Sequence, residues 1–183
     1  MYENPIVQDN LEKLRRFGYK IIAPAVGMLA CRDVGAGKMP EPETLLEWIL
    51  QEIACEKDLS GKKILITAGP TQESLDPVRY LTNHSTGKMG YALAKCAARR
   101  GAEVTLVTGP TALQPPLFAE TVPVTTAEEM YQAVTSRAAQ QDAVIMAAAV
   151  ADYRPTEIAA EKQKKKDGDA VIPLTRTKDI LAY

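Results

Sequence analysis

Hydrophobic and polar positions along the chain change period several times, and those changes mark its elements. Ile6, Val7, Leu11, Leu14 and Phe17 fall at helical spacing within 5–17, with Pro5 suited to a first turn and Gly18 to a stop. A short strand is predicted over 19–23, ended by Pro24, and residues 25–41, punctuated by glycine and proline, read as a long loop or flap. Leu45, Leu46, Trp48, Ile49 and Ile53 mark a second helix, after which the charged segment Glu56–Lys63 reads as a linker. The pattern then restarts. Lys63–Thr67 is a strand of buried type, followed by a loop rich in Gly, Pro and Asp, and 88–100 is an alanine-rich helix ending at Gly101. Glu103–Thr108 is another strand, and Val122–Val124 a weaker one, broken by Pro123. Thr125 and Thr126, with Glu128 and Glu129 three residues on, offer overlapping capping boxes for a helix to about residue 139. Ala143–Val150 is an apolar run of strand length. Strands alternating with helices imply an α/β fold with a doubly wound, mainly parallel sheet, whose ligands bind beyond the carboxyl ends of the strands.

Composition narrows the classes. With 183 residues, 46% hydrophobic and 25% charged, the chain suits one domain, or one domain plus a piece of another, and is not globally disordered. Twenty-two Lys+Arg against 23 Asp+Glu leave a net charge of −1, which argues against a nucleic-acid partner. Cys31, Cys55 and Cys96 form an odd, widely spaced set that matches neither a disulfide scaffold nor a zinc site and suits a reducing cytoplasm. Cys55 and Cys96 sit in helical patterns and are expected in the core, whereas Cys31 lies in the glycine-punctuated flap. No apolar run approaches the roughly 20 residues that span a bilayer, and Met1–Pro5 does not open a signal peptide. A soluble cytoplasmic chain is expected, with no membrane partner.

Four segments carry candidate chemistry. The turn Ala68-Gly69-Pro70-Thr71-Gln72-Glu73 leaves the first strand of the Rossmann-like part, where such folds meet phosphates, but it lacks the G-x-G-x-x-G spacing of a dinucleotide site. Gly35-Ala36-Gly37-Lys38-Met39-Pro40 fails the same test, which disfavours a nicotinamide-dependent reductase. Asn83-His84-Ser85-Thr86-Gly87-Lys88-Met89-Gly90 superficially suggests a P-loop, yet Thr82 stands at the first glycine position and Met89 where a magnesium-binding hydroxyl belongs. Either an anion site at a helix amino terminus or an ordinary Asn/Ser helix cap accounts for that loop. Ala147-Ala148-Ala149-Val150-Ala151-Asp152 places small residues and a carboxylate at a strand end. Asp152 there either holds a divalent metal on a polyphosphate or is merely solvated. The run Lys162-Gln163-Lys164-Lys165-Lys166 is either a solvated face or a loop that closes over phosphates. His84 is the only histidine, so a histidine-dependent triad and a histidine-rich metal site are excluded.

In order along the chain, ITAGPTQESLDPVRYLTNHSTGKMGYALA, AAAVADYRP and EKQKKK closely resemble phosphopantothenoylcysteine synthetase, the carboxyl-terminal half of a bifunctional coenzyme A biosynthesis family. MYENPIVQDNLEKLRRFGYKIIAPAVGMLACRDVGAGKMPEPE resembles the tail of the flavin-dependent decarboxylase that precedes it in that family. The resemblance implies a decarboxylase tail with linker over 1–57, as a helical and flap fragment of a flavoprotein α/β domain. It implies the first portion of a ligase over 58–183, with further family sequence expected upstream and downstream of this chain.

The implied activity joins 4′-phosphopantothenate to cysteine using CTP. The carboxylate attacks the α-phosphate, pyrophosphate leaves, and the cysteine amine displaces CMP from the acyl-cytidylate. Asn83 matches the asparagine that processes the acyl-cytidylate, and Lys162 the essential lysine that neutralises phosphoryl charge. Asp152 is the magnesium-side carboxylate, and Ala148 and Ala149 make room for nucleotide. Arg79 is assigned to substrate phosphate or carboxylate, with Gly69, Ser85, Gly87 and Lys88 as loop donors. Cys31 matches a decarboxylase flap cysteine, although Arg32 replaces the family's glycine; if that glycine serves a positive φ, arginine is strained there. FMN belongs to the decarboxylase half, most of whose site is expected outside this chain, and the ligase of the family is a homodimer. FMN-dependent decarboxylation and a non-catalytic nucleotide-binding fragment remain the alternatives.

Overall fold

The computed structural model describes residues 1–165 and 167–182, and the chain forms two compact units, Met1–Cys55 and Glu56–Tyr183. Lys166, the last lysine of the run, and the terminal Tyr183 lie outside the described residues.

In the first unit, α1 (Pro5–Arg16) starts on Asn4, whose side chain accepts from the Ile6 N–H, and places Pro5 in its first turn. The strand expected over 19–23 does not form there. Chain pairing begins only after Pro24, in the antiparallel hairpin of β1 (Ala25–Met28) and β2 (Val34–Lys38). The expected loop 25–41 is therefore mostly hairpin, and a Cβ added at Gly35 or Gly37 would meet the Leu29 side chain. Arg32, in its turn, is the only described non-glycine residue with positive φ, at 69°. The sequence expectation of strain at this position is thus met. Helix α2 (Pro42–Ile53) follows the expected pattern. No residue of the first unit is buried.

The second unit holds the core. Strands β3 (Lys63–Ala68), β6 (Glu103–Thr108), β7 (Ala119–Pro123) and β8 (Ala143–Met146) form a parallel sheet in the order β7-β6-β3-β8. Side chains on a strand alternate faces, and here the alternation sorts two cores. Ile64, Ile66, Val104 and Leu106 pack with Tyr91, Ala94, Ala97 and Ala98 of α3 (Lys88–Arg99). Leu65 and Val107 pack on the opposite face with Met130, Ala133 and Val134 of α4 (Ala127–Ala138). One helix on each face is the doubly wound arrangement that the alternating pattern implies. The capping box of α4 forms as expected: Thr126 Oγ1 accepts from Glu129 N at 3.2 Å and Glu129 Oε2 accepts from Thr126 N at 3.3 Å.

Two strand boundaries, two strand pairs and the linker differ from the sequence reading. The weak strand is longer, at Ala119–Pro123, and tolerates Pro123 because it lies at the sheet edge. The strand expected over Ala143–Val150 stops at Met146, because Thr67 Oγ1 takes the next N–H groups, of Ala147 and Ala148, at 3.1 Å each. The loop after β3 contains a hairpin, β4 (Gln72–Asp76) with β5 (Arg79–Thr82). A further antiparallel pair, β9 (Tyr153–Pro155) with β10 (Leu174–Arg176), brackets the lysine run. The segment read as a linker docks: Leu59 N donates to Arg100 O at 3.0 Å, and Arg100 Nε to Asp58 Oδ1 at 2.8 Å.

The expectation that Cys55 and Cys96 are core residues is wrong, since all three cysteines are exposed. Cys55 lies beyond the end of α2, and the buried face of α3 is taken by Gly90, Tyr91, Ala94, Ala97 and Ala98. Among the described residues no helix is long and apolar enough to cross a membrane.

Candidate functional site

Three loops converge beyond the carboxyl ends of β3 and β8. The chain leaving β3 turns at Gly69 (φ 73°), and Ala149 N donates to Gly69 O at 2.9 Å while Thr71 N donates to Ala149 O at 3.3 Å. Thr71 is fully buried; its Oγ1 accepts from Ala151 N at 2.9 Å, and its carbonyl accepts from Thr82 Oγ1 at 2.7 Å. Asn83, directly after β5, closes the junction by donating from Nδ2 to Ala149 O at 3.1 Å and Val150 O at 3.2 Å. Small side chains at 147–149 are what let these backbones come so close.

Glycine is required where α3 meets this junction. A Cβ at Gly87 (φ 75°) would lie 2.8 Å from the Thr111 methyl and 3.2 Å from Gly69 N, and one at Gly90 would lie 2.5 Å from Ala68 Cβ. Gly87 itself is the N-cap of α3 and no side chain caps the helix, so the ordinary Asn/Ser cap considered from sequence does not form. Ser85 Oγ instead accepts from Gly87 N at 3.4 Å, just before the helix.

Two clefts flank the junction. One, of about 540 Å³, is lined by Gln72, Ser85, Thr86, Lys88, Pro110 and Thr111 among others. The other, of about 580 Å³, includes Ala148, Asp152, Arg176, Lys178 and Asp179 in its lining. Both volumes lie in the range of small-molecule sites. Lys178 bridges the second cleft to α4: its Nζ meets Glu128 Oε1 at 2.7 Å and sits 4.8 Å from the centre of the Tyr131 ring. The Glu128 hydrogen bond raises the Lys178 pKa and lowers that of Glu128. Among the described residues no three His, Cys, Asp or Glu side chains group as metal ligands; Asp152 and Asp179 simply share a cleft.

The residues singled out from sequence therefore fall into distinct places. Gly69, Asn83, Gly87 and Ala149 meet at the junction, Ser85 and Lys88 line the first cleft, and Ala148 and Asp152 line the second. Arg79 is at the far end of the β4–β5 hairpin, where Nε donates to Asp76 Oδ2 at 3.0 Å and Nη2 to Gln163 O at 2.8 Å. Those donors are committed within the protein. Lys162 is exposed on the segment beside Gln163, and Cys31 belongs to the other unit.

Thr71 and Glu73, named from sequence only as part of the turn after β3, are structural members of this site, as is Asp76, which the sequence reading did not single out. Glu73 is buried and its Oε1 accepts from Ala127 N, the first helical residue of α4, at 2.8 Å. Asp76 Oδ1 accepts from Val78 N and Arg79 N at 2.9 Å each. The Arg79 hydrogen bonds, aided by backbone N–H groups and opposed by burial, hold the Asp76 carboxyl well below the usual carboxylate range. The Asp76-Pro77 pair was a legible signal for the turn. The buried long-range partners had none, because a polar residue in a loop-like composition reads as solvated.

The chain is similar to known proteins in sequence and in fold. The family described as DNA/pantothenate metabolism flavoprotein C-terminal domain matches residues 59–183, and the Flavoprotein family matches residues 1–54. A coenzyme A biosynthesis bifunctional protein CoaBC from Vibrio parahaemolyticus is 51% identical over the whole chain, and its namesake from Bacillus subtilis is 47% identical over 99% of it. The chain spans about half of those relatives, 46% and 45% of their lengths. A crystal structure of the C-terminal domain of a coenzyme A biosynthesis bifunctional protein CoaBC is 53% identical with a TM-score of 0.60, covering 69% of this chain and 59% of that one.

Proposed function

Because the chain belongs to the family of the DNA/pantothenate metabolism flavoprotein C-terminal domain, we propose that its second unit, read as residues 58–183, carries the first portion of a ligase of coenzyme A biosynthesis. The ligase joins 4′-phosphopantothenate to the amine of cysteine at the expense of CTP. A carboxylate is a poor acyl donor because its leaving group is an oxide. Attack of the carboxylate oxygen on the α-phosphorus releases pyrophosphate and gives an acyl-cytidylate. The amine then forms the amide bond, CMP departs, and the amine proton passes to solvent. Little covalent work falls to the protein, whose task is positioning and charge neutralisation.

The observation that carries this reading is the position of Asn83, hydrogen-bonded to Ala149 O and Val150 O between two clefts of ligand size. Asn83 is thereby pre-oriented by the backbone it touches, as a residue that handles an acyl-phosphate must be. Ser85 and Lys88, at the uncapped start of α3, offer donors for phosphate oxygens. Asp152 and Asp179 on one cleft fit magnesium, which takes one or two carboxylates together with phosphate oxygens; bound there, the ion supplies charge neutralisation on the triphosphate. Lys162 is assigned to the same phosphoryl charge from the segment beside Gln163.

Incubation with CTP, 4′-phosphopantothenate and cysteine tests the proposal through pyrophosphate release and amide formation. The Asn83→Ala variant is expected to release pyrophosphate and stall before the amide. Normal amide formation by that variant removes Asn83 from the mechanism.

The match of residues 1–54 to the Flavoprotein family favours a second reading, in which the first unit, taken as 1–57, is the tail of an FMN-dependent decarboxylase with Cys31 on its flap. Residues 1–55 do not by themselves enclose a flavin, since none of them is buried, and no step is derived through FMN. Flavin absorbance of the purified chain supports decarboxylation as an activity of the chain itself; a colourless chain is what a tail without its flavin enclosure gives, and leaves the first unit without that activity.

A further inference from the structure

The lysine-bearing segment between β9 and β10 exposes Lys162, Lys164 and Lys165, yet its backbone is tied down beside them. Ala159 N donates to Leu75 O at 3.0 Å. At Gln163 both backbone groups are held: its N–H donates to Asp76 Oδ2 at 3.2 Å and its carbonyl accepts from Arg79 Nη2 at 2.8 Å. The Asp76 side chain has 0% exposure, and it also accepts from Val78 N, Arg79 N, Arg79 Nε and Arg79 Nη2.

A turn of this type needs only the two local N–H bonds. Burying a whole carboxylate is costly unless its remaining lone pairs are satisfied, and here they are satisfied by an arginine and by an amide 87 residues away. The ion pair reads one residue's N–H and C=O together, as a strand partner would. It does so next to Lys162 and at the tip of the hairpin whose second strand leads into Asn83.

We propose that Asp76 is a positioning residue: through Arg79 it clamps the Gln163 backbone and thereby holds Lys162 at the hairpin that carries Asn83. The inference rests on the ligase reading for what Lys162 does, but not for the clamp itself. An untethered segment would have to order its lysine at every turnover, and the clamp removes that cost in advance. The charge on Asp76 persists at neutral pH because the Arg79 guanidinium holds its carboxyl low.

Amide hydrogen exchange on the whole chain reads the clamp directly. In Asp76→Asn, which keeps the shape and loses the charge, the Gln163 amide is expected to exchange about tenfold faster, while Leu65 and Ile66 in the sheet stay unchanged. Arg79→Lys, which leaves Asp76 in place, gives the same local response and stands in if Asp76→Asn fails to fold. Unchanged Gln163 exchange in a folded variant overturns the proposal. Pyrophosphate release then tests the role toward Lys162. Asp76→Asn and Lys162→Ala each lower kcat, and the double variant is expected to fall no further than Lys162→Ala alone. Independent, multiplying losses overturn the positioning role. If the unaltered chain releases no pyrophosphate while Gln163 exchange responds as stated, the ligase reading fails and the clamp stands.

Discussion

The two hairpins β1–β2 and β4–β5 are nearly equal in length but differ in what they bury. In β1–β2 no residue is buried, and Val26, Met28 and Val34 are exposed around a tip that holds Cys31 and the strained Arg32. In β4–β5 the buried side chains are polar: Glu73 reaches the start of α4, and Asp76 reaches Gln163. Local pairing suffices to form either hairpin. Only the second is made part of a site, because its buried carboxylates must satisfy every lone pair, and beyond the local donors to Asp76 they reach Ala127 N and Gln163 N far along the chain.

The largest difference should appear in stability. Leu106→Ala, in the core against α3, is expected to cost about 2–5 kcal/mol in urea unfolding. Ile49→Ala, half exposed on α2, is expected to cost no more than about 1 kcal/mol; equal costs would erase the contrast between the two units. Next in size is the buried cap. Glu73→Ala leaves the Ala127 N–H without its acceptor and should cost about 1–3 kcal/mol, with Glu73→Gln recovering most of it. The exposed Lys38–Glu41 pair of the first unit is screened by solvent, so Lys38→Ala should by comparison leave the urea midpoint unchanged.

A gain is expected at the other tip. Arg32→Gly relieves a positive φ, so exchange of the Leu29 amide, which donates to Asp33 O across that turn, should slow by about tenfold. Faster exchange would show that Arg32 earns its conformation through contacts instead. The smallest effect concerns pH. The Asp76 carboxyl is lowered in the folded state, so its contribution is complete above the unfolded value and fades as pH falls toward the folded one. The gap in urea midpoint between the unaltered chain and Asp76→Asn should hold from pH 7 to about pH 5 and narrow below about pH 4. A gap that widens on acidification contradicts the charged clamp.

Much of the scaffold was legible from periodicity. The helices at 5–17, 45–53, 88–100 and 127–139, and the strands Lys63–Thr67 and Glu103–Thr108, match the observed elements to within a few residues. So does the capping box of α4, since a cap is written within four consecutive residues. The hairpins were missed because their strands are short, interrupted by glycine and polar, and so resemble loops. Cys96 was misplaced for a related reason: an alanine-rich helix shows little contrast between its faces, and alanines at 94, 97 and 98 take the inner one. Of the candidate site, the loops were found and their grouping was not; Arg79 and Lys162 lie with Asp76 and Gln163 rather than among the junction residues.

By itself the sequence determined where α3, α4 and the two central strands would form, that a parallel doubly wound sheet would result, and which loops lie beyond its carboxyl ends. Those properties follow from side-chain period and from caps, both of which act over a few residues. Tertiary structure alone decided that Asn83 would bridge to Ala149 and Val150, that Glu73 would cap a helix 54 residues away, and that Asp76 would hold the lysine segment. The reason is that a buried polar group has no preferred neighbour in sequence. It takes whichever donor the packed backbone brings within reach, and that is settled only once the sheet has closed over its core.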